Sequence, residues 1–297
     1  MKQPNGLALK GQGVEEWLDV HFFRPVGIRL ARRLFPTRVT PDQVTLVCLL
    51  IGLVAGHLMV YRAAVLNASG VALFVVSDVF DSADGQLARL RGTSTRFGRI
   101  LDGVSDGTRF LNLYLHLMLR LLLAGAGVWV IGLVCLGGIS NVLQSSTVDF
   151  IRHAFLEAGE GEGSELDLPE DRTAEPRAGF WRGLALRSYQ DYVTRQAKMF
   201  AASVALIRRI RVEGSSEEFA AAYRRAQRPL IGWCPLIAQN FRFLLLLVTV
   251  VPGWPAGYFW VSLGPLNLAM AAIIQVHERN ARALGAARAT PVTAEVA

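Results

Sequence analysis

Charge is scarce in this sequence. Lys, Arg, Asp and Glu make up 19% of the 297 residues, below the roughly one quarter usual in soluble domains. Cysteine is scarcer: Cys48, Cys135 and Cys234 all fall inside apolar runs, far apart. That spacing excludes a cysteine zinc framework or a disulfide scaffold and leaves buried thiols. Histidine is sparse too, and His57, His116 and His153 show no metal-ligand spacing along the chain. The opening MKQPNGLALKGQGVEEW lacks the apolar core of a cleaved leader, and no internal repeat is present. A separate basic domain is also missing. The net charge is +7, but the arginines flank apolar runs. This argues against a nucleic-acid partner and for contact with anionic lipid headgroups.

What the sequence has in abundance is clustered apolar residues, 52% of the chain, in runs near the roughly 20 residues a spanning helix needs. The fold class expected is all-α, a polytopic membrane protein of six transmembrane helices at about 44–61, 63–89, 94–123, 128–155, 229–251 and 255–275. NASG, AGAG and VPGWP supply turns between them. Residues 1–43 form a tail and an amphipathic, basic helix over 14–35 lying at the membrane interface. Thr40, Pro41, Asp42 and Gln43 read as a helix start with Pro41 in the first turn. The membrane domain is 44–281, interrupted between helices 4 and 5 by an insertion, 156–228. Its acidic, Gly-rich first part reads as a solvated loop and its basic second part, 180–211, as an interfacial helix. Residues 282–297 read as a disordered tail. Arg24–Arg38, Arg89–Arg99, Arg182–Arg228 and Arg279–Arg288 all fall on one side, so the positive-inside rule puts both termini in the cytoplasm, in an inner (cytoplasmic) membrane.

Against this apolar background one stretch stands out: DSADGQLARLRGTSTRFGRILDGVSD, Asp81 to Asp106. Positions three or four apart share a helix face. Asp81 and Asp84 therefore point one way from the end of the second helix, and Asp102 and Asp106 one way from the start of the third. A short linker containing Gly92 lets the two helices run antiparallel, so the four carboxylates converge. Unpaired at the bilayer centre, they would cost on the order of 10 kcal/mol together. Oxygen donors alone suit a hard divalent ion such as Mg²⁺, which keeps positions open for substrate phosphates, and two such ions can clamp a transferring phosphoryl group. Gly85 and Ala88 leave room for close approach, and Arg89 and Arg96 can meet phosphate oxygens. Aspartates simply paired with arginines at a helix boundary would explain any one of these residues, but not eight fixed positions jointly.

The spacing D-x2-D-G-x2-A-R-x8-G-x3-D-x3-D resembles the signature of the CDP-alcohol phosphotransferase (CDP-alcohol phosphatidyltransferase) family of membrane enzymes. TPDQVT before the first helix looks like that family's opening segment, and TRFG at 95–98 resembles the bacterial phosphatidylinositol-phosphate synthase branch. The resemblance implies that Asp81, Asp84, Asp102 and Asp106 hold two Mg²⁺ ions, with Mn²⁺ able to substitute. It implies that Gly85, Ala88, Arg89, Thr95 and Gly98 line the site of a CDP-linked donor, with Thr40, Pro41, Asp42 and Gln43 adding contacts. Asp106 would take the proton of the acceptor hydroxyl. A phosphatidyl group would then pass from CDP-diacylglycerol to a small polar alcohol, and CMP would leave. A homodimer is expected on the same ground.

Candidate acceptor contacts are Arg152, Arg187 and Arg195, although arginines at every cytoplasmic boundary also meet anionic lipid. Asp149 and Arg152, three apart, can pair. Two rivals stand beside the main reading. In one, a CDP-activated headgroup is the donor and diacylglycerol or another lipid alcohol the acceptor. In the other, the chain is a non-enzymatic cation channel or transporter whose aspartates line a pathway.

Overall fold

The computed structural model describes residues 14–94, 96–161, 166–171 and 180–289, and among these every element is helical. The chain divides into two compact units, one of Met1–Leu143 with Ala238–Asn267 and one of Gln144–Ile237 with Leu268–Ala297.

In the first unit, a π-helical turn, Asp19–Phe23, runs into α1, Arg24–Leu34. Gly27 and Ala31 are buried while Arg29, Arg32 and Arg33 are exposed. α2 spans Pro41–Leu58 and starts where the sequence said it would. Thr40 Oγ1 accepts from the Gln43 N–H at 3.3 Å, and Gln43 Oε1 accepts from the Thr40 N–H at 3.0 Å, so two otherwise orphaned donors are satisfied reciprocally. α3 spans Ala64–Arg91 and stops at Gly92, whose φ of 65° is one that side chains resist; the Gly92 N–H bonds back to Arg89 and the Thr93 N–H to Ala88. α4 spans Arg96–Leu123, α5 Trp129–Phe155, and the chain crosses into the second unit within α5.

α1 and α2 both pack on α3 around Ala31, Val44, Ala83 and Leu87. Arg91 fastens this corner. Its Nη1 donates to Val39 O at 2.5 Å, and its Nη2 to the carbonyls of Leu34, Phe35 and Thr37 at 3.1, 3.2 and 2.9 Å. These are the carbonyls left over where α1 ends and the turn to α2 begins. At the other end, buried Arg120 donates to Asn67 Oδ1 at 2.7 Å and Asn67 Nδ2 to Leu58 O and Tyr61 O at 3.0 Å each. The unit is completed by α9 (Gln239–Thr249) and α10 (Pro255–Val261); Phe74 stacks on Phe243 at 5.8 Å, and Tyr114 packs edge-on against Phe259 at 5.4 Å.

The second unit holds the end of α5, α6 (Phe180–Met199), α7 (Ala201–Glu213), α8 (Glu217–Trp233) and α11 (Asn267–Ala289). Phe150 stacks on Phe200 at 4.2 Å, with His277 edge-on to both, and Glu278 accepts from the first N–H groups of α7, at Ala202 and Ser203.

Among the described residues, five helical stretches are long and apolar enough to cross a membrane: Pro41–Leu58, Ala64–Arg91, Trp129–Glu160, Glu217–Thr249 and Pro255–Arg288. α4, expected as a sixth, is helical but not among them; its first half carries Asp102, Asp106 and Arg109 besides Arg96 and Arg99. Four further expectations need correction. The span expected at 229–251 begins at Glu217, inside what was taken as insertion, because Ser216 caps α8 by accepting from the Phe219 N–H. Residues 156–160 and 166–171, expected as solvated loop, are instead packed: Leu166 and Leu168 are buried, and Arg211 binds Glu157, Asp171 Oδ2 (2.7 Å) and Leu166 O (2.7 Å). The tail expected to be disordered from 282 is helical through Ala289, a run of good helix formers held by Arg288 against Glu213 at 3.1 Å. The basic stretch 180–211, expected as one helix, is two, broken at Phe200.

Candidate active site

The sequence places Asp81 and Asp84 one turn apart near the end of α3, and Asp102 one turn into α4. The fold brings one carboxylate oxygen of each within 4.8 Å of the others. Thr45 Oγ1, from α2, donates to Asp84 Oδ2 at 2.5 Å, and the Cys48 thiol reaches Asp81 Oδ1 at 3.8 Å. Asp102 Oδ1 is buried and has no hydrogen-bond partner. Three gathered carboxylates with an orphaned oxygen repel one another unless a cation joins them. The donors are all oxygen, which fits a hard divalent ion. Asp81, Asp84 and Asp102 are therefore the residues that would hold it.

Asp106, expected as a fourth member of this group, is bound instead by Arg109 Nη2 one turn on. The same guanidinium donates to Asp81 Oδ1 at 3.3 Å, and through Nη1 to Asp78 Oδ1 at 2.9 Å and Ser77 Oγ at 2.8 Å. Arg109 is only 2% exposed. It fits because position 52 is glycine: a Cβ there would stand 2.4 Å from Arg109 Cδ. Asp78 is held on its other oxygen by Gln239 Nε2 at 2.7 Å. One internal cation thus links three aspartates.

Of the expected donor-site residues, Gly85 lies under the Arg89 guanidinium: an added Cβ would stand 3.4 and 3.5 Å from its nitrogens. Arg89 is exposed and close enough to Arg24 that its charge, second to burial, holds the Arg24 pKa below the usual guanidinium range. Ala88 and Gly98 are half-buried. Thr40 and Gln43 are exposed and bonded to each other in the helix cap, beside exposed Asp42 and half-buried Pro41. Thr95 lies outside the described residues. Arg152, Arg187 and Arg195 belong to the second unit, where Arg152 is half-buried and the other two exposed. Asp149 accepts from Tyr192 at 3.0 Å and sits 3.4 Å from His153 Nε2.

Arg109, Thr45 and Gln239 escaped the sequence reading. Arg109 was findable, since it sits three and seven residues from Asp106 and Asp102 on one helical face. Gln239, 161 residues from Asp78, gave no local signal.

A helical membrane scaffold that gathers carboxylates at its helix ends, beside the exposed Arg89 guanidinium, defines a membrane protein with a candidate divalent-cation site. The sequence comparisons narrow the class. Residues 38–152 match the family model for CDP-alcohol phosphatidyltransferase, a range that contains Asp78, Asp81, Asp84, Asp102 and Asp106. Over this segment the chain is similar to the CDP-alcohol phosphatidyltransferase family, and the five apolar helices among the described residues mark an integral membrane protein. It is similar to the phosphatidylinositol phosphate synthase of Mycobacterium tuberculosis (strain ATCC 25618 / H37Rv), 32% identical over 158 residues, 50% of this chain and 66% of that protein. The protein of the same name in Mycobacterium marinum (strain ATCC BAA-535 / M) is 34% identical over 152 residues, 48% of this chain and 58% of its own length. The chain therefore matches just under two thirds of these relatives.

Proposed function

We propose that the protein is a phospholipid-synthesis enzyme that transfers a phosphatidyl group from CDP-diacylglycerol to a small polar alcohol and releases CMP. The observation that carries this is the group Asp81, Asp84 and Asp102, with one oxygen of each within 4.8 Å of the others, beside an Asp106 held separately by Arg109.

Bound to the three aspartates, Mg²⁺ or Mn²⁺ supplies Lewis-acid stabilisation of charge on the pyrophosphate; Asp106 would be free to lend an oxygen to a second ion. Arg89, over Gly85, meets the donor's phosphate oxygens, and Ala88 and Gly98 keep the neighbouring wall small, while Thr95 is proposed as a donor contact from the family pattern alone. Arg109 orients Asp106 by its charged hydrogen bond. Asp106 accepts the proton of the acceptor hydroxyl; the acceptor oxygen bonds to the lipid-bearing phosphorus; the bond from that phosphorus to the CMP oxygen breaks and CMP leaves. Thr40, Pro41, Asp42 and Gln43 act chiefly by starting α2, which carries Thr45 to Asp84.

The acceptor proposed is an inositol phosphate, by similarity to the relatives' name. α4 is proposed as a sixth span despite its charged first half, because Leu111, Leu115, Leu119 and Leu123 form an exposed apolar stripe along its second half. With six spans and basic segments on one side, both termini and the site face the cytoplasm, α1 lies in the interface, and a homodimer is the assembly proposed by family resemblance.

The test is to incubate purified full-length protein with labelled CDP-diacylglycerol, Mg²⁺ and, in turn, serine, glycerol 3-phosphate, inositol and inositol phosphate. Labelled lipid and CMP with inositol phosphate are expected. Product only from a CDP-linked headgroup plus diacylglycerol would reverse the donor assignment, and no CMP from any donor would reject the enzyme.

A further inference from the structure

His57 and His116 meet at the far end of the seam between α2 and α4. His57 is one residue from the last residue of α2; His116 lies ten residues beyond Asp106, about 15 Å further along α4. His57 Nδ1 is 3.1 Å from His116 Nε2. Each ring's other nitrogen has its own partner. His116 Nδ1 is 2.8 Å from the carbonyl oxygen of Asn112, which can only accept, so neutral His116 carries its proton there and turns the Nε2 lone pair toward His57. Without an ion, His57 Nδ1–H therefore donates to His116 Nε2 and the Tyr61 hydroxyl donates to His57 Nε2 at 3.3 Å; an ion entering between the rings replaces that one proton, which moves to His57 Nε2 with Tyr61 then accepting from it. Outer hydrogen bonds of this kind orient metal-binding histidines. Two nitrogens on one tetrahedral ion stand about 3.3 Å apart, close to the separation already present.

We propose that His57 and His116 form a second metal site, selective for a borderline transition ion such as Zn²⁺, Cu²⁺ or Ni²⁺ rather than Mg²⁺. Imidazole nitrogens favour such ions and carboxylate oxygens favour Mg²⁺, so α4, with Asp102 near its start and His116 near its end, would meet different metals at its two ends. An ion here joins α2 to α4 across 59 residues of chain. Solvent supplies the remaining ligands, since His57 is exposed.

The test uses the untagged full chain in detergent with excess Mg²⁺ to fill the aspartates, titrated with Cu²⁺ and Zn²⁺. The expected results are a Cu²⁺ resonance with nitrogen hyperfine structure, a Zn²⁺-dependent rise in melting temperature, and a loss of at least tenfold in affinity for both His57→Ala and His116→Ala, but not for His153→Ala. Exposed His57 can be replaced without opening the core. Binding unchanged in both variants, or oxygen ligands alone in the Cu²⁺ spectrum, would overturn the proposal. Neither outcome depends on transferase activity.

Discussion

Arg109 Nη1 lies 2.9 Å from Asp78 Oδ1, and its Nη2 turns to Asp81 and Asp106. A buried cation among three aspartates neutralises part of the cluster before any ion arrives, and it ties Asp106 to Asp81, one of the three residues that would hold the metal.

Removing that cation leaves buried carboxylates uncompensated. Arg109→Met should destabilise the fold by about 3–5 kcal/mol and abolish CMP release. Thermal melting in detergent checks the first effect and a CMP assay the second. Arg109→Lys, which cannot reach several partners in one plane, should recover part of the stability and little of the activity.

Asp106 and the three gathered aspartates should separate by assay. Asp106→Asn should lower turnover by about 10²–10⁴-fold, the usual contribution of a general base, and still bind donor. Asp81→Asn, Asp84→Asn and Asp102→Asn should each weaken the dependence of donor binding on Mg²⁺. Calorimetric titration of CDP-diacylglycerol with and without Mg²⁺ reads both.

Close approach at Gly52 carries a prediction of its own. Gly52→Val pushes into Arg109 Cδ, for which even a Cβ stands at 2.4 Å, and overpacking of this kind costs about 1–3 kcal/mol. Activity should fall with stability, because the displaced group is the guanidinium that orients Asp106. Thr40→Ala, which removes only the cap, should cost about 1 kcal/mol and leave the residual turnover of folded protein close to wild type.

At the packed loop, Glu170 is bonded by Arg208 at 2.7 and 2.8 Å, and that bond holds its carboxyl pKa below the ordinary value. The stabilisation is present above the ordinary carboxylate pKa and lost as pH falls through the lowered one. The pair is largely exposed, so its worth is below about 0.5 kcal/mol after solvent screening. Melting curves of wild type and Glu170→Gln should differ slightly at neutral pH and converge in acid.

Much of the site could be read in the sequence because its parts obey short-range rules. Carboxylates three or four residues apart share a face, TPDQ writes a helix cap in four letters, and the D-x2-D-G-x2-A-R pattern lies within a single helix end. Arg109 obeyed the same spacing and was passed over among many boundary arginines. His57 with His116 and Asp78 with Gln239 were illegible, because each pair joins residues distant in sequence through tertiary packing. The acidic segment around Leu166 reads as loop by composition; a single arginine, Arg211, changes its fate by satisfying carboxylates and a carbonyl together. α4 divides the two kinds of information: its periodicity makes it a helix, while its charges remove it from the apolar spans.

The most direct measurement is Mn²⁺ binding followed by electron paramagnetic resonance in the purified chain, wild type against Asp81→Asn, Asp84→Asn and Asp102→Asn. If one ion is shared by carboxylates from α3 and α4, wild type binds Mn²⁺ tightly and each substitution, on either helix, weakens binding at least tenfold. If the three variants bind Mn²⁺ as wild type does, these aspartates do not form a metal centre and the proposed transfer chemistry fails.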